Sequence, residues 1–323
     1  MDRIIITGGT GFIGRFLVKK ILSKNPSSVA LIANTSIFDK SQFLDKKVQC
    51  DSFTFHTVDI RDKKNILEIF QNEKADTCIH LAAKISVSDS IKNSDETMDI
   101  NVNGTMNVLE ACGNSKVNNF IFASSAAVYG DVTQLPISEN APLRPLSPYG
   151  KSKMLAEDLV FRYDKLRKIQ NTVSLRFFNV YGSGNVSQSD VISRFAARLS
   201  KGLPPIIHGN GSHIRDFISV DDVIEGILIC VRTMESKNNN KFNYPPVFNM
   251  GSGNGTSVRE LARKMITISG LQLDPIFENE NQDSGIIMHS YADMTKAKRD
   301  LNFVARKDLD SGLREIVKQS DDL

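Results

Sequence analysis

"RIIITGGTGFIGRFLVKKIL" (residues 3–22) decides how the rest of the chain is read. It opens on an unbroken apolar run rich in β-branched residues, the pattern of a strand buried on both faces. From Arg15 onward the residues take up helical periodicity. Between the two stand Gly8, Gly11 and Gly14 at three-residue steps. Each glycine has a physical task in such a turn: a tight bend, close approach of a pyrophosphate to the backbone, and close packing of helix on strand. The helix N-terminus adds N–H groups and a positive dipole end for the phosphates. A glycine-rich turn is weak on its own. Between the first strand and the first helix of a βαβ run it is a strong sign of a dinucleotide site.

The run continues outward from this point. "SVALIA", "FTFHTVDI", "DTCIHLAA", "NNFIFASSAAVYG" and "NTVSLRFFNVYG" read as strands, and "KNILEIFQNE" and "TMDINVNGTMNVLEACGNS" as helices, the second a single long one. Strands alternating with helices predict an α/β fold with a doubly wound parallel sheet and ligands at the carboxyl ends of its strands. After Tyr181 the pattern becomes less regular. The expected division is a Rossmann domain for dinucleotide over residues 1–178, to which a segment near 215–245 returns. A smaller C-terminal α/β domain for substrate then covers residues 179–323.

Lys+Arg 40 against Asp+Glu 37 leaves a net charge of only +3 over 323 residues, which gives nucleic-acid binding no electrostatic support. Cys50, Cys78, Cys112 and Cys230 are far apart and form neither a zinc pattern nor a disulfide framework. Cys78 and Cys230 lie in apolar runs and are expected to be buried thiols, consistent with a reducing cytoplasm. No metal site is expected. The chain starts directly on a strand-like run, so no signal peptide is expected. The longest apolar stretch, around "VIEGILICV", is far short of the roughly 20 residues of a membrane span. "ESKNNNK" and "FENENQDSG" read as surface loops.

A second stretch carries chemistry. In "SPYGKSK" (residues 147–153) Ser147 suits an N-cap and Pro148 the first helical position. "KSKMLAEDLVFRYDKL" continues as a helix with apolar Met154, Leu155, Leu159, Val160 and Tyr163. Tyr149 and Lys153 then share one helix face at i and i+4. Such a pair is either an ordinary feature of a helix surface or a phenol beside the cation that turns it into a base. A further detail concerns the cofactor. An NAD site usually has an acidic residue at the end of the second strand for the ribose 2′-OH. "ALIANTS" instead offers Ala33 and Asn34. Asn34 can still bond a ribose hydroxyl but does not repel a 2′-phosphate, and Arg15 and Lys40 are cations able to attract one. NAD and NADP both stay open.

Together, "TGGTGFIG", "VDIRD", "HLAA", "NVNGTMNVLEAC", "FIFASSAAVYGD", "SPYGKSK", "LRFFNVYG", "IRDFISVDDV" and "FNMGSGNGTSV" stand in the order found in one family. The chain resembles an extended short-chain dehydrogenase/reductase of the NAD-dependent epimerase/dehydratase family, most of all the sugar-nucleotide epimerases, over nearly its whole length. The resemblance implies that Gly8, Gly11, Phe12, Ile13 and Gly14 cradle the pyrophosphate. It places Asp59 and Ile60 beside the adenine, Leu81, Ala82 and Ala83 along the cofactor channel, Asn101 near it, and Phe178 against the nicotinamide. Ser125, Tyr149 and Lys153 are the implied catalytic residues, and Asn179 and Arg215 the implied holders of a nucleotide diphosphate. A guanidinium also matches phosphate oxygens bidentately on its own chemistry, whereas a salt bridge from Arg215 to Asp216 or Asp221 is the plain structural alternative.

Departures from the family pattern refine the expectation. Dehydratases of the family generally carry Asp-Glu after the catalytic hydroxyl residue, and decarboxylating members a Glu. This chain has Ala126 and Ala127, which favours epimerisation or simple oxidoreduction. Where related epimerases often have Arg-Pro-Gly-Asp before "SYAD", this chain has Asp283, Ser284, Gly285 and Ile286. The expected activity is a nucleotide-sugar 4-epimerase of the UDP-glucose/UDP-galactose type with bound NAD. The alternatives are an NADP(H)-dependent nucleotide-sugar reductase and a non-catalytic NAD(P)-sensing protein. A homodimer through helices near residues 101–111 and 153–163 is the assembly the resemblance implies.

Overall fold

The structure, a computed structural model, describes residues 3–35, 52–184, 190–236, 242, 246–279 and 287–321. Lys40, Cys50, Asp283, Ser284, Gly285 and Ile286 lie outside the described residues.

The chain runs β1 (Arg3–Thr7), α1 (Phe12–Leu22), β2 (Ser28–Ala33), β3 (Ser52–Thr57), α2 (Lys63–Glu73), β4 (Thr77–His80), α3 (Val87–Lys92), α4 (Ser94–Met98), α5 (Gly104–Asn114), β5 (Asn119–Ser125), α6 (Pro148–Lys165) and β6 (Asn171–Phe177). It continues through β7 (Asn179–Tyr181), α7 (Val191–Leu199), β8 (Ile206–His208), β9 (Ile214–Ser219), α8 (Val220–Glu235) and β10 (Val247–Met250). It closes with β11 (Gly255–Ser257), α9 (Val258–Ser269), β12 (Ile276–Glu278), β13 (His289–Ser290), α10 (Thr295–Leu301) and α11 (Leu309–Asp321). Two compact units result: Met1–Val128 with Ser147–Arg176 and Ile224–Phe248, and Tyr129–Leu146 with Phe177–Val223 and Asn249–Leu323.

The seven-stranded sheet has the order β3-β2-β1-β4-β5-β6-β10, the doubly wound arrangement expected from the alternating pattern. Pairing is parallel and regular where Ile5 faces Ala30 of β2 on one side and Cys78 of β4 on the other. Ile4, Ile5 and Ile6 are fully shielded, as a strand covered by helices on both faces requires. The strand order reverses between β1 and β4. In folds of this kind ligands bind beyond the carboxyl ends of the strands at such a point, where here the glycine turn follows β1 and Leu81–Ala83 follow β4. Cys78, Cys112 and Cys230 are buried free thiols.

Two helices differ from the sequence pattern in instructive ways. The helix expected over residues 97–115 is interrupted, because one π-helical turn spans Asp99–Asn103 between α4 and α5. The widened turn serves Asn101, whose buried amide bonds to backbone outside the helix. On α6 the buried stripe consists of Gly150, Ser152, Lys153, Ala156, Glu157 and Val160, while Leu155 is exposed. Apolar periodicity misses this face because its charged groups find partners inside the protein. In "FENENQDSG", which reads as a surface loop, Phe277 and Glu278 end β12 and pair with β8, while residues 280–285 lie outside the described residues.

The second unit centres on β9, paired with β7, β11 and β13. Its own core gathers Phe195 of α7, Leu261 and Met265 of α9, and Leu313 of α11. Asp216 is buried and accepts N–H bonds from Ser252, Gly253 and Ala292, which ties the "GSGNG" turn to β9.

The glycine turn sets the tightest tolerance. A Cβ on Gly14 would lie 2.3 Å from Gly8 O and 2.7 Å from the Gly9 backbone. Gly14→Ala is expected to lower stability by about 1–3 kcal/mol, the ordinary range for overpacking, and to abolish dinucleotide binding. Thermal unfolding and a dinucleotide titration check the two effects separately.

Candidate active site

The phosphate loop begins where β1 ends. Gly8 adopts φ 71°, and a side chain there would come within 2.9 Å of the Leu81–Ala82 backbone, so the β1 and β4 loops pack main chain against main chain. Gly11 caps α1 without a side-chain bond, and no acidic residue occupies the first turn. The bond from Arg15 N–H to Gly11 O (2.9 Å) comes after Phe12, Ile13 and Gly14, whose N–H groups precede the helical ladder. A bare, uncharged helix start of this kind fits a pyrophosphate. Beyond it, Asn34 is exposed directly after β2. Asp59 is held by Arg61 through both carboxylate oxygens, which keeps its carboxyl below the usual range. Ile60 is buried, with its carbonyl accepting from the Asn107 amide at 3.1 Å.

Ser125, Tyr149 and Lys153 come together from two elements. Ser125 closes β5, its Oγ accepting from Ala127 N–H at 3.2 Å. Tyr149 stands in the first turn of α6, which Ser147 caps by accepting from Gly150 N–H (3.1 Å) with Pro148 at the helix start. Burial pushes the Tyr149 phenol above its ordinary pKa, and a hydrogen bond with the Ser125 hydroxyl pulls it back down. Lys153 lies one turn further on, buried, with Nζ donating to Ala123 O at 2.8 Å and sitting 5.0 Å above the Phe122 ring. Burial brings its pKa down to about 8, and the Glu157 charge acts upward against it. Ala126 and Ala127 form the turn after Ser125 and place no carboxylate there.

Two residues behind this group were not legible as site residues. Glu157 occupies the next turn of α6 and is paired with Arg176 of β6 at 2.7 Å, both nearly inaccessible. Arg176 Nε also reaches the carboxylate at 3.0 and 3.2 Å, and Ser124 Oγ donates to Glu157 Oε1. The one available signal was the spacing of Tyr149, Lys153 and Glu157 at four-residue steps.

His80, the last residue of β4, is a third. It is buried, stacks on Phe122 at 5.9 Å, and contacts Thr7 Oγ1 through Nδ1 (2.6 Å) and Thr105 Oγ1 through Nε2 (2.9 Å). Burial and the nearby Lys153 charge lower its pKa to about 3. Asn101 accepts from Lys84 N–H (2.8 Å) and donates to Lys84 O and to Ser152 Oγ (both 2.9 Å).

Phe178, Asn179 and Arg215 belong to the second unit. Phe178 is buried 6.5 Å from the Tyr129 ring, its N–H bonded to Met250 O. Asn179 is exposed at the start of β7. The Arg215 guanidinium donates to Ile214 O (2.9 Å) and Met288 O (3.4 Å). Neither carboxylate considered from the sequence pairs with it: Asp216 is bound by Ser252, Gly253 and Ala292, and Asp221 by Lys307.

A doubly wound sheet, a bare glycine-turn helix start, and a serine at the end of β5 beside a tyrosine and a lysine one turn apart on α6 define an extended short-chain dehydrogenase/reductase. More narrowly, the chain belongs to the NAD dependent epimerase/dehydratase family, whose sequence profile it matches over residues 4–251. It is similar to a UDP-glucose 4-epimerase of Mycoplasma genitalium, 32% identical over 326 residues that take in 95% of this chain and 93% of that one. Among solved structures it is similar to the UDP-glucose 4-epimerase of Thermotoga maritima with UDP-glucose, with a TM-score of 0.86, 29% identity and 98% of both chains covered. The Thermus thermophilus UDP-glucose 4-epimerase in complex with NAD gives a TM-score of 0.83 at 28% identity, again over 98% of both chains.

The buried pair makes a stability prediction. Glu157→Gln leaves the Arg176 charge without its counter-ion and is expected to cost about 3–5 kcal/mol, whereas Glu157→Leu combined with Arg176→Met costs far less. Denaturant unfolding of the two variants checks the difference.

Proposed function

We propose that the chain is a nucleotide-sugar 4-epimerase of the UDP-glucose/UDP-galactose type that oxidises and re-reduces the sugar at C4 with bound NAD. The observation that carries the reading is the gathering of Ser125 at the end of β5 with Tyr149 and Lys153 one turn apart on α6, where the Ser125 hydroxyl acts on the Tyr149 phenol and no acid stands at Ala126 or Ala127. Membership of an NAD-dependent family and relatives solved with UDP-glucose and with NAD support it. Bound NAD supplies the hydride acceptor for the alcohol and the hydride that restores it on the other face of the ketone. The protein handles the oxygen and its proton. Tyr149 as phenolate takes the hydroxyl proton, and Ser125 bonds the same oxygen as it becomes a carbonyl. An elimination needs an acid where this chain has alanines, so water stays on the sugar.

Gly8, Gly11, Phe12, Ile13 and Gly14 take the pyrophosphate in this reading. Asp59 and Ile60 flank the adenine, Leu81, Ala82, Ala83 and Asn101 border the channel, and Phe178 meets the nicotinamide. Asn179 and Arg215 hold the diphosphate of the substrate. We assign dinucleotide binding mainly to the first unit and substrate binding mainly to the second. We place the enzyme in the cytoplasm, in keeping with its free buried thiols. Among the described residues no helix is long and apolar enough to cross a membrane. We propose a homodimer built on α5 and α6, whose outward Leu155 (37%) and Phe161 (36%) leave apolar surface to cover. A second reading, an NADP(H)-dependent nucleotide-sugar reductase, rests on Ala33 and Asn34, where no carboxylate opposes a 2′-phosphate. NAD copurifying with the protein supports the epimerase. A protein that purifies empty and prefers NADPH supports the reductase.

Tyr149→Phe keeps the ring and its packing but removes the base, so turnover is expected to fall by roughly 10²–10⁴-fold with fold and dinucleotide binding retained. The rate rises with pH as the phenol loses its proton. Removing a cation raises that pKa, so Lys153→Met should move the rising limb of the pH–rate profile to higher pH. Arg215→Ala should raise KM about ten- to hundredfold, the loss of a charge-assisted bond to phosphate. Steady-state kinetics on UDP-glucose and UDP-galactose measures it, and an unchanged KM removes Arg215 from the site.

A further inference from the structure

The proton positions around His80 follow from its partners. Thr105 Oγ1 gives its single proton to Asn101 O at 2.6 Å. It must therefore accept from the imidazole, which puts the ring proton on Nε2 and leaves Nδ1 as an acceptor. Thr7 Oγ1 then donates to Nδ1, and in turn accepts from Ala82 N–H at 3.3 Å. At the far end Asn101 donates to Ser152 Oγ, which donates to Tyr149 O at 2.7 Å. Each hydroxyl donates once, and the bonds form two aligned runs, one from Ala82 N–H through Thr7, His80 and Thr105 to the Asn101 carbonyl and one from the Asn101 side-chain amide through Ser152 to Tyr149 O. Chains of bonds aligned in this way polarise one another in a low-dielectric interior.

We propose that His80 is a positioning residue for the reaction described above, a two-armed neutral imidazole that registers the dinucleotide loops and the start of the Tyr149 helix to each other. The inference rests on the epimerase reading. One arm, through Thr7, fixes Ala82 against the Gly8 turn, where main chain already meets main chain. The other, through Thr105 and Asn101, holds the π-helical turn and, by way of Ser152, the first turn of α6. Its pKa of about 3 keeps the ring neutral throughout the working range of an enzyme, so the chain does not reverse. No group with a freely rotating donor could replace it without losing the fixed direction. An imidazole has a donor and an acceptor at opposite corners of one rigid ring.

The arms separate by substitution. The amide of His80→Asn sits near the position of Nδ1 and is too short for Thr105, and the amide of His80→Gln reaches the position of Nε2 but not Thr7. We expect His80→Gln to lose mainly NAD affinity and His80→Asn to lose mainly turnover, each by roughly tenfold, the order of one unmade buried hydrogen bond. NAD affinity is read by calorimetry on dinucleotide-stripped protein, and turnover at saturating NAD and UDP-galactose. Amide hydrogen exchange over residues 148–153 gives a readout independent of activity, and it should quicken in His80→Asn more than in His80→Gln. Thr7→Val should reproduce the His80→Gln pattern and Thr105→Val the His80→Asn pattern, which keeps the test sharp if one histidine variant fails to fold. Equal losses in both histidine variants, or parental values in His80→Phe, would reduce His80 to a packing residue. A parent protein that binds NAD but converts no UDP-sugar defeats the epimerase reading instead, while affinity and exchange still decide the two arms.

Discussion

Helix α6 must bury a lysine and a glutamate on one face, and much of the first unit is arranged around that requirement. A charged side chain taken out of water is costly unless it is paired and hydrogen-bonded. Glu157 is received by Arg176 from β6 and by Ser124 from β5, and Lys153 by the Ala123 carbonyl of β5. Both strands are therefore locked to the helix that carries Tyr149. The phenol is delivered to Ser125 by a helix that cannot slide along the sheet without breaking a buried ion pair. Part of the precision at the site comes from Glu157 and Arg176, charges that the proposed reaction itself does not use.

The second constraint lies at the reversal of strand order. A pyrophosphate can approach the backbone only where no side chain intervenes, and the same glycines that open the space let the β1 and β4 loops touch. Close main-chain packing would orphan polar groups if it were not threaded with hydrogen bonds. Thr7 supplies one to Ala82 N–H, and Leu81 N–H is taken by Thr7 O at 3.1 Å. The glycine turn, the proposed pyrophosphate site, and the buried polar core behind it are thus one construction.

The parallel doubly wound sheet and the helix starts were legible because they rest on local rules. β-branched runs make buried strands, glycines at three-residue steps make the phosphate turn, and Ser147-Pro148 makes a helix start. The residues that hold the site were not. Arg176 looks like an ordinary residue in "SLRFF", and Glu157 like the polar side of an amphipathic helix. Only the three-dimensional pairing of α6 with β6 turns them into a buried pair. His80 failed for the same reason, since its two partners come from β1 and α5, 73 residues before and 25 after it. The π-helical turn was also hidden: its sequence has an unbroken helical pattern, and what distorts it is the pull of Asn101 towards Lys84. Arg215 shows the reverse case, because the sequence offered nearby carboxylates that the fold assigns to other tasks.

The remaining problem is electrostatic. A buried phenol resists ionising, and here burial outweighs the help Ser125 gives. A cation beside it is the remedy, but the same burial drives Lys153 towards its neutral form. A lone lysine would therefore weaken as a source of charge just where it is needed. Glu157 counters this from one turn further along, and Arg176, a guanidinium that does not lose its proton, anchors Glu157 in place. Signs alternate from Arg176 through Glu157 to Lys153, and the Glu157 carboxylate acts to keep Lys153 charged. The permanent Arg176 charge stands at one end of this series, and Tyr149, the proposed base, stands at the other. Four-residue steps along one helix keep Tyr149, Lys153 and Glu157 on one side.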